Sequence, residues 1–261
     1  MTTPAGPEVS DGPYDVNFCF PVRELENSKL KLTPFIPSTH ADLLFQGCAD
    51  HPELFQYLPF GPYDSASDLT KGLIEGRIGT NLSMILYAII DKTRSPHPTS
   101  ASLSHAPSQV NFAGVLGYLN SCPIHLKTEI GFLIVLPPFQ RTHVTTNAVG
   151  LLLLYALNIP SISDSVPFPG LGLRRVQWQT NELNAKSIRA AERMGLKMEG
   201  ILRWDRVLPY GKGKPTDGIE PRANDLKPGM GGRHTAILSV CWDDWENGGR
   251  EEVLRMMERQ S

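Results

Sequence analysis

The most constraining segment runs from Glu129 to Asn147, EIGFLIVLPPFQRTHVTTN. An apolar, β-rich run ends in Pro137-Pro138, which cannot continue a ladder because proline lacks the amide proton. A short polar turn, Gln140 to Thr145, then opens a long apolar stretch, VGLLLLYAL, which ends at Leu157. This predicts a buried strand, a turn and a helix over Thr142 to Asn158. The first amides of such a helix have no partner within it, and the macrodipole favours negative charge there. Strand, turn and helix start thus describe an anion site suited to a phosphate, or an ordinary turn that holds nothing.

Around this unit the signals alternate. Lys29 to Phe35 reads as a half-buried strand. Ser38 can cap a helix that reaches Cys48, and Ser65 or Ser67 can start a second helix to about Arg77. Ser83 to Ile90 and Val110 to Asn120 are further strands before Glu129 to Leu136. Arg174 to Thr180 reads as a strand and Asn184 to Met194 as an amphipathic helix closed by Gly195. Two strands follow, Leu196 to Leu208 and Arg233 to Trp242. The order predicts an α/β (α+β) domain over 29–246, with a mixed, mostly antiparallel sheet of about seven strands and helices on both faces. Residues 1–28 read as a loose extension and 247–261 as a helical tail. Surface loops are expected near 92–109, 159–171 and 210–232, each broken by Pro, Gly or polar residues.

Composition narrows the function. With 261 residues, 41% of them hydrophobic, the chain can bury one substantial core. A net charge of −2 argues against bulk electrostatic binding of nucleic acid. The four cysteines are dispersed without metal spacing, so reduced thiols and no metal are expected. No apolar run reaches the ~18 residues a membrane helix needs, and Met1 to Pro13 lacks the pattern of a secretory signal. A cytoplasmic protein is expected, as monomer or homodimer. No GxGxxG or GxxxxGK[ST] follows a strand, which disfavours a nucleotide-binding fold of those types.

A second informative segment is Gln177 to Arg203, QWQTNELNAKSIRAAERMGLKMEGILR. Asn184 or Asn181 can cap its helix, and Ser187 lies one turn in. The pattern N184-A-K-S187, then G195-L-K-M-E199-G200, resembles the rear signature of the GCN5-related N-acetyltransferase (GNAT) superfamily. Leu58-Pro59-Phe60-Gly61-Pro62 and Asp244-Trp245 are similar to elements of its ribosomal-protein N-terminal acetyltransferase branch. The resemblance spans about residues 28 to 246. The superfamily's front signature has Gln or Arg, two residues, Gly, one residue, then Gly or Ala. Here Q140-R141-T142-H143-V144-T145 puts larger residues at both small positions, where glycine would let a backbone approach a ligand closely.

The resemblance implies an acetyl-coenzyme A-dependent N-acetyltransferase acting on a small-molecule amine or a peptide N-terminus. The departure at His143 and Thr145 suggests the alternative, a catalytically inactive binding module that keeps the fold. By the resemblance, cofactor would be bound by Leu133, Ile134 and Val135, by Gln140, Arg141, Thr142, His143, Val144, Thr145 and Thr146, and by Asn184 and Ser187. Glu129, eleven residues before Gln140, would be the general base, or else a strand-end carboxylate paired with a cation. Ser187 would be the acid or hold a water, with Tyr155 and Tyr210 as alternative acids. Tyr57, Tyr63 and Trp204, with His51, Asp205 and Arg206, would line the acceptor side.

Overall fold

The computed structural model describes residues 15–94, 111–160, 169–209 and 215–259. Its eight strands form one sheet in the order β1-β2-β3-β4-β5-β6-β8-β7. They are β1 (Leu25–Glu26), β2 (Leu30–Pro34), β3 (Ile85–Asp91), β4 (Phe112–Cys122), β5 (Lys127–Val135), β6 (Arg175–Asn181), β7 (Lys197–Pro209) and β8 (Met230–Cys241). Every neighbouring pair is antiparallel except β5 and β6. That pair needs a crossover, which α3 (Val144–Leu157) supplies. α1 (Pro37–Cys48) packs with α2 (Ala66–Leu69), which widens into a π-helical stretch over Thr70–Ile78. α4 (Ala185–Arg193) lies against β6, β7 and β8, and the short α5 (Trp242–Asp244) precedes α6 (Arg250–Glu258) on α3.

The strand and helix expectations match closely, and the eighth strand is the short β1. α3 is buried all round, from Asn147 to Leu157, as its uninterrupted apolar sequence requires. Ser65 caps α2 by accepting the Asp68 amide at 3.0 Å. Ser38 does not cap α1. Pro37 occupies the first turn, where its missing amide costs nothing, and the Ile36 amide donates to His40 Nδ1 at 2.9 Å.

The described residues toward both ends of the chain join the body more fully than composition suggests. Val16, Phe18 and Phe20 pack against the core, and Tyr155 donates to the Pro21 carbonyl. At the other end Val253, Met256 and Met257 of α6 are buried, and Lys29 Nζ donates to the carbonyls of Met257, Glu258 and Arg259. Most of the expected loop 92–109, the middle of 159–171 and the start of 210–232 lie outside the described residues.

Two local irregularities free β5 from its neighbours. Between β4 and β5 the register passes from Val115↔Ile134 to Gly117↔Gly131, so β5 uses one more residue than β4. This is a β-bulge, and Phe132 within it takes a left-handed φ of 55°. On the other side, β5 pairs with β6 only from Lys127 to Ile130. Beyond Ile130 the two strands diverge, and β6 continues paired to β8 alone among its neighbours.

Candidate active site

The divergence of β5 from β6 opens a cleft of about 580 Å³, a size suited to a cofactor or small ligand. Leu133, Ile134 and Val135 form one wall, and Trp178, Asn184 and Ser187 the other. One end carries Gln140, Arg141 and Thr145, and the other Glu129 and Tyr57. Because β5 rises ~3.3 Å per residue, Glu129 and Val135 are ~20 Å apart along the strand.

At the Gln140 end the backbone turns sharply, with Arg141 at φ 60°, a conformation side chains ordinarily avoid. Gln140 Nε2 donates to the Val135 carbonyl and Thr142 Oγ1 to the Phe139 carbonyl, which fixes the turn. Among the described residues, the amides of Arg141, Thr142 and His143 have no backbone acceptor. The ring of His143 is largely buried, with Nε2 3.3 Å from Asp91 Oδ1. Val144 is fully buried in the core rather than in the cleft.

A second cleft, also about 580 Å³, adjoins this turn and is lined by Arg141, Thr142, His143, Thr145 and Thr146 with Lys186, Arg189, Arg193 and Arg259. Lys186, Arg189 and Arg193 share one face of α4 through their three- and four-residue spacing. Among the described residues, none of these Lys or Arg side chains pairs with a carboxylate.

At the other end, Glu129 is 2% exposed. Asn120 Nδ2 donates to its Oε2 at 2.8 Å and Gln177 Nε2 at 3.0 Å. Burial raises its pKa above the ordinary carboxylate value, against the opposing pull of those two amides and of Arg206 and Arg233. Asn184 caps α4 by accepting the Ser187 amide at 3.1 Å, and Trp178 Nε1 donates to Ser187 Oγ at 2.9 Å. The indole uses one lone pair of that hydroxyl and leaves its proton free to donate.

The structure thus brings ten of the residues singled out from sequence to one cleft: Tyr57, Glu129, Leu133, Ile134, Val135, Gln140, Arg141, Thr145, Asn184 and Ser187. His51 and Arg206 line it too. Others lie elsewhere. Tyr63 packs edge-on to Phe55, and burial pushes its phenol up to about 12. Trp204 is 43% exposed and lies near the His234 ring. Tyr155 is tied to Pro21 and lies under Arg23. Asp205 accepts from Thr235 Oγ1 at 2.7 Å beside Arg206, and Tyr210 lies outside the described residues. Sequence reading missed Arg77, Trp178 and Arg233 in the cleft, and the Asn120 and Gln177 amides behind it. Asn120 lies nine residues before Glu129 across the β4–β5 hairpin, a spacing that could have flagged it.

Of the motif residues, Leu58, Pro59 and Phe60 also line the cleft, whereas Glu199 and the Asp244-Trp245 pair are structural. Glu199 makes two 2.6 Å hydrogen bonds with Arg175 and accepts Ser239 Oγ, which holds its pKa at about 2. Trp245 Nε1 donates to Asn158 Oδ1 at 3.1 Å in the core. Cys241, Asp243 and Asp244 lie within 4.8 Å of one another, but Asp244 is engaged by Lys197 and the Cys241 amide. No helix is long and apolar enough to cross a membrane among the described residues.

Comparison with known proteins agrees with this architecture. No curated protein matches the chain. Among solved structures, a GCN5-related N-acetyltransferase from Brucella melitensis superposes with TM-score 0.66 at 23% identity, covering 90% of this chain and 85% of that one. Spermidine N-acetyltransferase from Vibrio cholerae, in complex with CoA and spermine, gives 0.54 at 17% identity, covering 85% and 100%. RimJ from Mycobacterium smegmatis, in complex with CoA-disulfide, gives 0.57 at 13% identity, covering 87% and 88%. At these identities the likeness is one of fold. The Acetyltransferase (GNAT) domain family matches residues 29–197, more than half of the sequence, and the chain belongs to that family of acetyltransferases.

Proposed function

We propose that this acetyltransferase moves an acetyl group from acetyl-coenzyme A to a primary amine of a small molecule or a peptide N-terminus, by direct attack of the amine on the thioester. The observation that carries the reading is the cleft between β5 and β6, which joins an amide-rich, cation-flanked turn to a buried carboxylate.

The residues fit coenzyme A, which supplies an acyl group activated as a thioester. The turn from Gln140 to Thr146 would take its pyrophosphate chiefly on the amides of Arg141, Thr142 and His143, which have no backbone acceptor among the described residues. Lys186, Arg189, Arg193 and Arg259 would neutralise its phosphates. Of the larger residues at the two small positions, His143 is turned toward Asp91, and Thr145 lines the cleft, where its hydroxyl would add a donor. Leu133 to Val135 lack a β6 partner, and Ile134 and Val135 stay paired with β4, so the amides of this segment that point away from β4 would be available to the acyl carbonyl.

Glu129 is the general base in this reading. An amine is mostly protonated at neutral pH, and Glu129 accepts that proton, directly or through water. Its raised pKa brings it nearer the operating pH, where a general base works best. Asn120 and Gln177 hold the carboxylate in place through a single oxygen, so Oε1 remains the lone-pair donor. Ser187, oriented by Trp178, returns a proton to the departing thiolate, or holds the water that does so. Tyr57 and His51 flank the acceptor.

The ribosomal-protein branch is supported by the LPFGP element and the fold likeness to RimJ. A cytoplasmic setting is consistent with the four free cysteines. Isothermal titration with acetyl-coenzyme A, followed by thiol release with a panel of amines, tests the reading. Micromolar binding with amine-dependent thiol release is expected. Absence of binding would leave only an inactive module.

A further inference from the structure

Three guanidinium groups converge on the Glu129 end of the cleft. Arg206 on β7 and Arg233 on β8 are direct cross-strand partners, and Arg77 reaches in from the π-helical stretch, its guanidinium 5.4 Å from the Phe60 ring and 6.0 Å from the Phe132 ring. All three line the cleft. Arg233 is 4% exposed, and the Nε atoms of Arg206 and Arg233 are buried without a hydrogen-bond partner among the described residues.

Such an arrangement is costly for folding. Like charges directly opposite on neighbouring strands destabilise a sheet, and a buried charge without a partner costs more than any surface pair returns. Three guanidiniums face two nearby carboxylates, Glu129 and Asp205, which offset only part of the charge. Glu129 spends Oε2 on two amides. Asp205 lies 3.3 Å from Arg206 Nε but takes the Thr235 hydroxyl. Neither forms an ion pair with Arg77 or Arg233 among the described residues. Burial and the nearby Arg206 push Arg233 down to about 10, against the opposing pull of Asp205 and Glu129. The coenzyme A phosphates, at the turn before α3, would lie ~20 Å away along β5, too far to serve these arginines.

We propose that Arg77, Arg206 and Arg233 bind an anionic group on the acceptor, so the acceptor is a primary amine carrying a carboxylate or phosphate rather than a neutral amine or a polyamine. This rests on the acetyl-transfer reading and narrows its substrate class. The anion docks on the guanidinium forks, and its amine is then directed toward Glu129. A polyamine would meet three positive charges instead.

Matched acceptors test this by thiol release with acetyl-coenzyme A: phosphoethanolamine against ethanolamine, β-alanine against β-alaninamide, and spermidine. The expected result is a kcat/KM at least tenfold higher for the anionic member of a pair. The phosphate and carboxylate pairs distinguish the two anions. In Arg206→Met and Arg233→Met that advantage falls at least tenfold, while the melting temperature does not drop, because each removes one of two opposed charges. Equal or better use of the neutral amines or spermidine overturns the proposal. If no acceptor in the set turns over, inorganic phosphate and succinate titrated into the CoA-loaded protein decide it. Binding weakened at least fivefold in Arg206→Met supports the site, whereas no binding, or unchanged binding, overturns it. Failure of coenzyme A itself to bind would sink the acetyl-transfer reading, and the same titration on free wild-type and Arg206→Met protein then judges the arginines alone.

Discussion

Glu129 and Gln177 are partners in the parallel pairing of β5 and β6, and the Gln177 amide donates to the Glu129 carboxylate at 3.0 Å just where the strands begin to part. The last paired rung of the two strands is Ile130↔Trp178. The carboxylate is therefore anchored by the sheet yet stands at the mouth of the opening.

That position makes Glu129→Gln informative in two ways. Loss of a general base lowers kcat/KM by ~10²–10⁴-fold. The wild-type pH profile should rise on its acid side with an apparent pKa above the ordinary 4.5, because burial disfavours the charged carboxylate, and that limb should vanish in the variant. Stability moves the other way. A carboxylate whose pKa is raised by folding is most favourable below its unfolded value, and that advantage is lost as pH rises through the folded pKa. Glu129→Gln is accordingly expected to melt higher than wild type at pH 7. Unchanged turnover across the pH range would remove Glu129 from catalysis.

Phosphate recognition at α4 is testable by charge reversal. Arg189 and Arg193 are exposed, unpaired with carboxylates among the described residues, and line the cleft beside the α3 turn. Each of Arg189→Glu and Arg193→Glu should raise the Kd for coenzyme A about tenfold. Raising ionic strength from about 0.05 to 0.5 M should shrink the difference, since exposed charges are screened. A titration giving wild-type Kd in both variants would move the phosphates elsewhere.

The parts of the site that are legible in the sequence share one property: their signals are local. Pro137-Pro138, the polar turn and the apolar run lie within one segment, so strand, turn and helix follow from neighbouring residues. Asn184 caps α4 and orients Ser187 within four positions. The arginine trio is the opposite case. Arg77, Arg206 and Arg233 come from three separate elements, and only the β7–β8 register and the path of the π-helical stretch bring them together. The early segment is obscured for a different reason. Val16, Phe18 and Phe20 alternate as a buried strand edge would, but the surrounding Pro and Gly dominate the composition. In α6, Val253, Met256 and Met257 hold a helical spacing that predicts burial as well as helicity.

Acid sensitivity should centre on His40. It is 2% exposed, and its Nδ1 accepts the Ile36 amide at the start of α1. Burial lowers its pKa to about 4. A depressed histidine contributes stability that is complete above the unfolded value of 6.5 and is lost as pH falls toward about 4. The full interval corresponds to ~3 kcal/mol. Chemical denaturation between pH 8 and pH 4 should show this loss in wild type and a flatter profile in His40→Asn. Parallel profiles would mean that other groups govern acid unfolding.

The close approach of β3 to β4 offers a sharper packing test. A Cβ on Gly117 would lie 2.0 Å from the Ile85 carbonyl oxygen and 3.1 Å from Leu86 Cα. Both are backbone atoms in a paired strand, so no side chain can swing away. Gly117 also faces Gly131 across the bulge that turns β5 out toward the cleft. Gly117→Ala should therefore cost more than ~3 kcal/mol, in the range of overpacking and broken pairing, and lower Tm by ~10 °C. Gly195→Ala provides the control. That residue has φ 86° with open space around its Cβ position, so only the left-handed conformation is penalised, by ~1–2 kcal/mol. Thermal melts should rank the two variants in that order. A Gly117→Ala protein as stable as Gly195→Ala would mean that β3 can withdraw from β4, and that the bulge of β5 is held by its own backbone rather than by the sheet behind it.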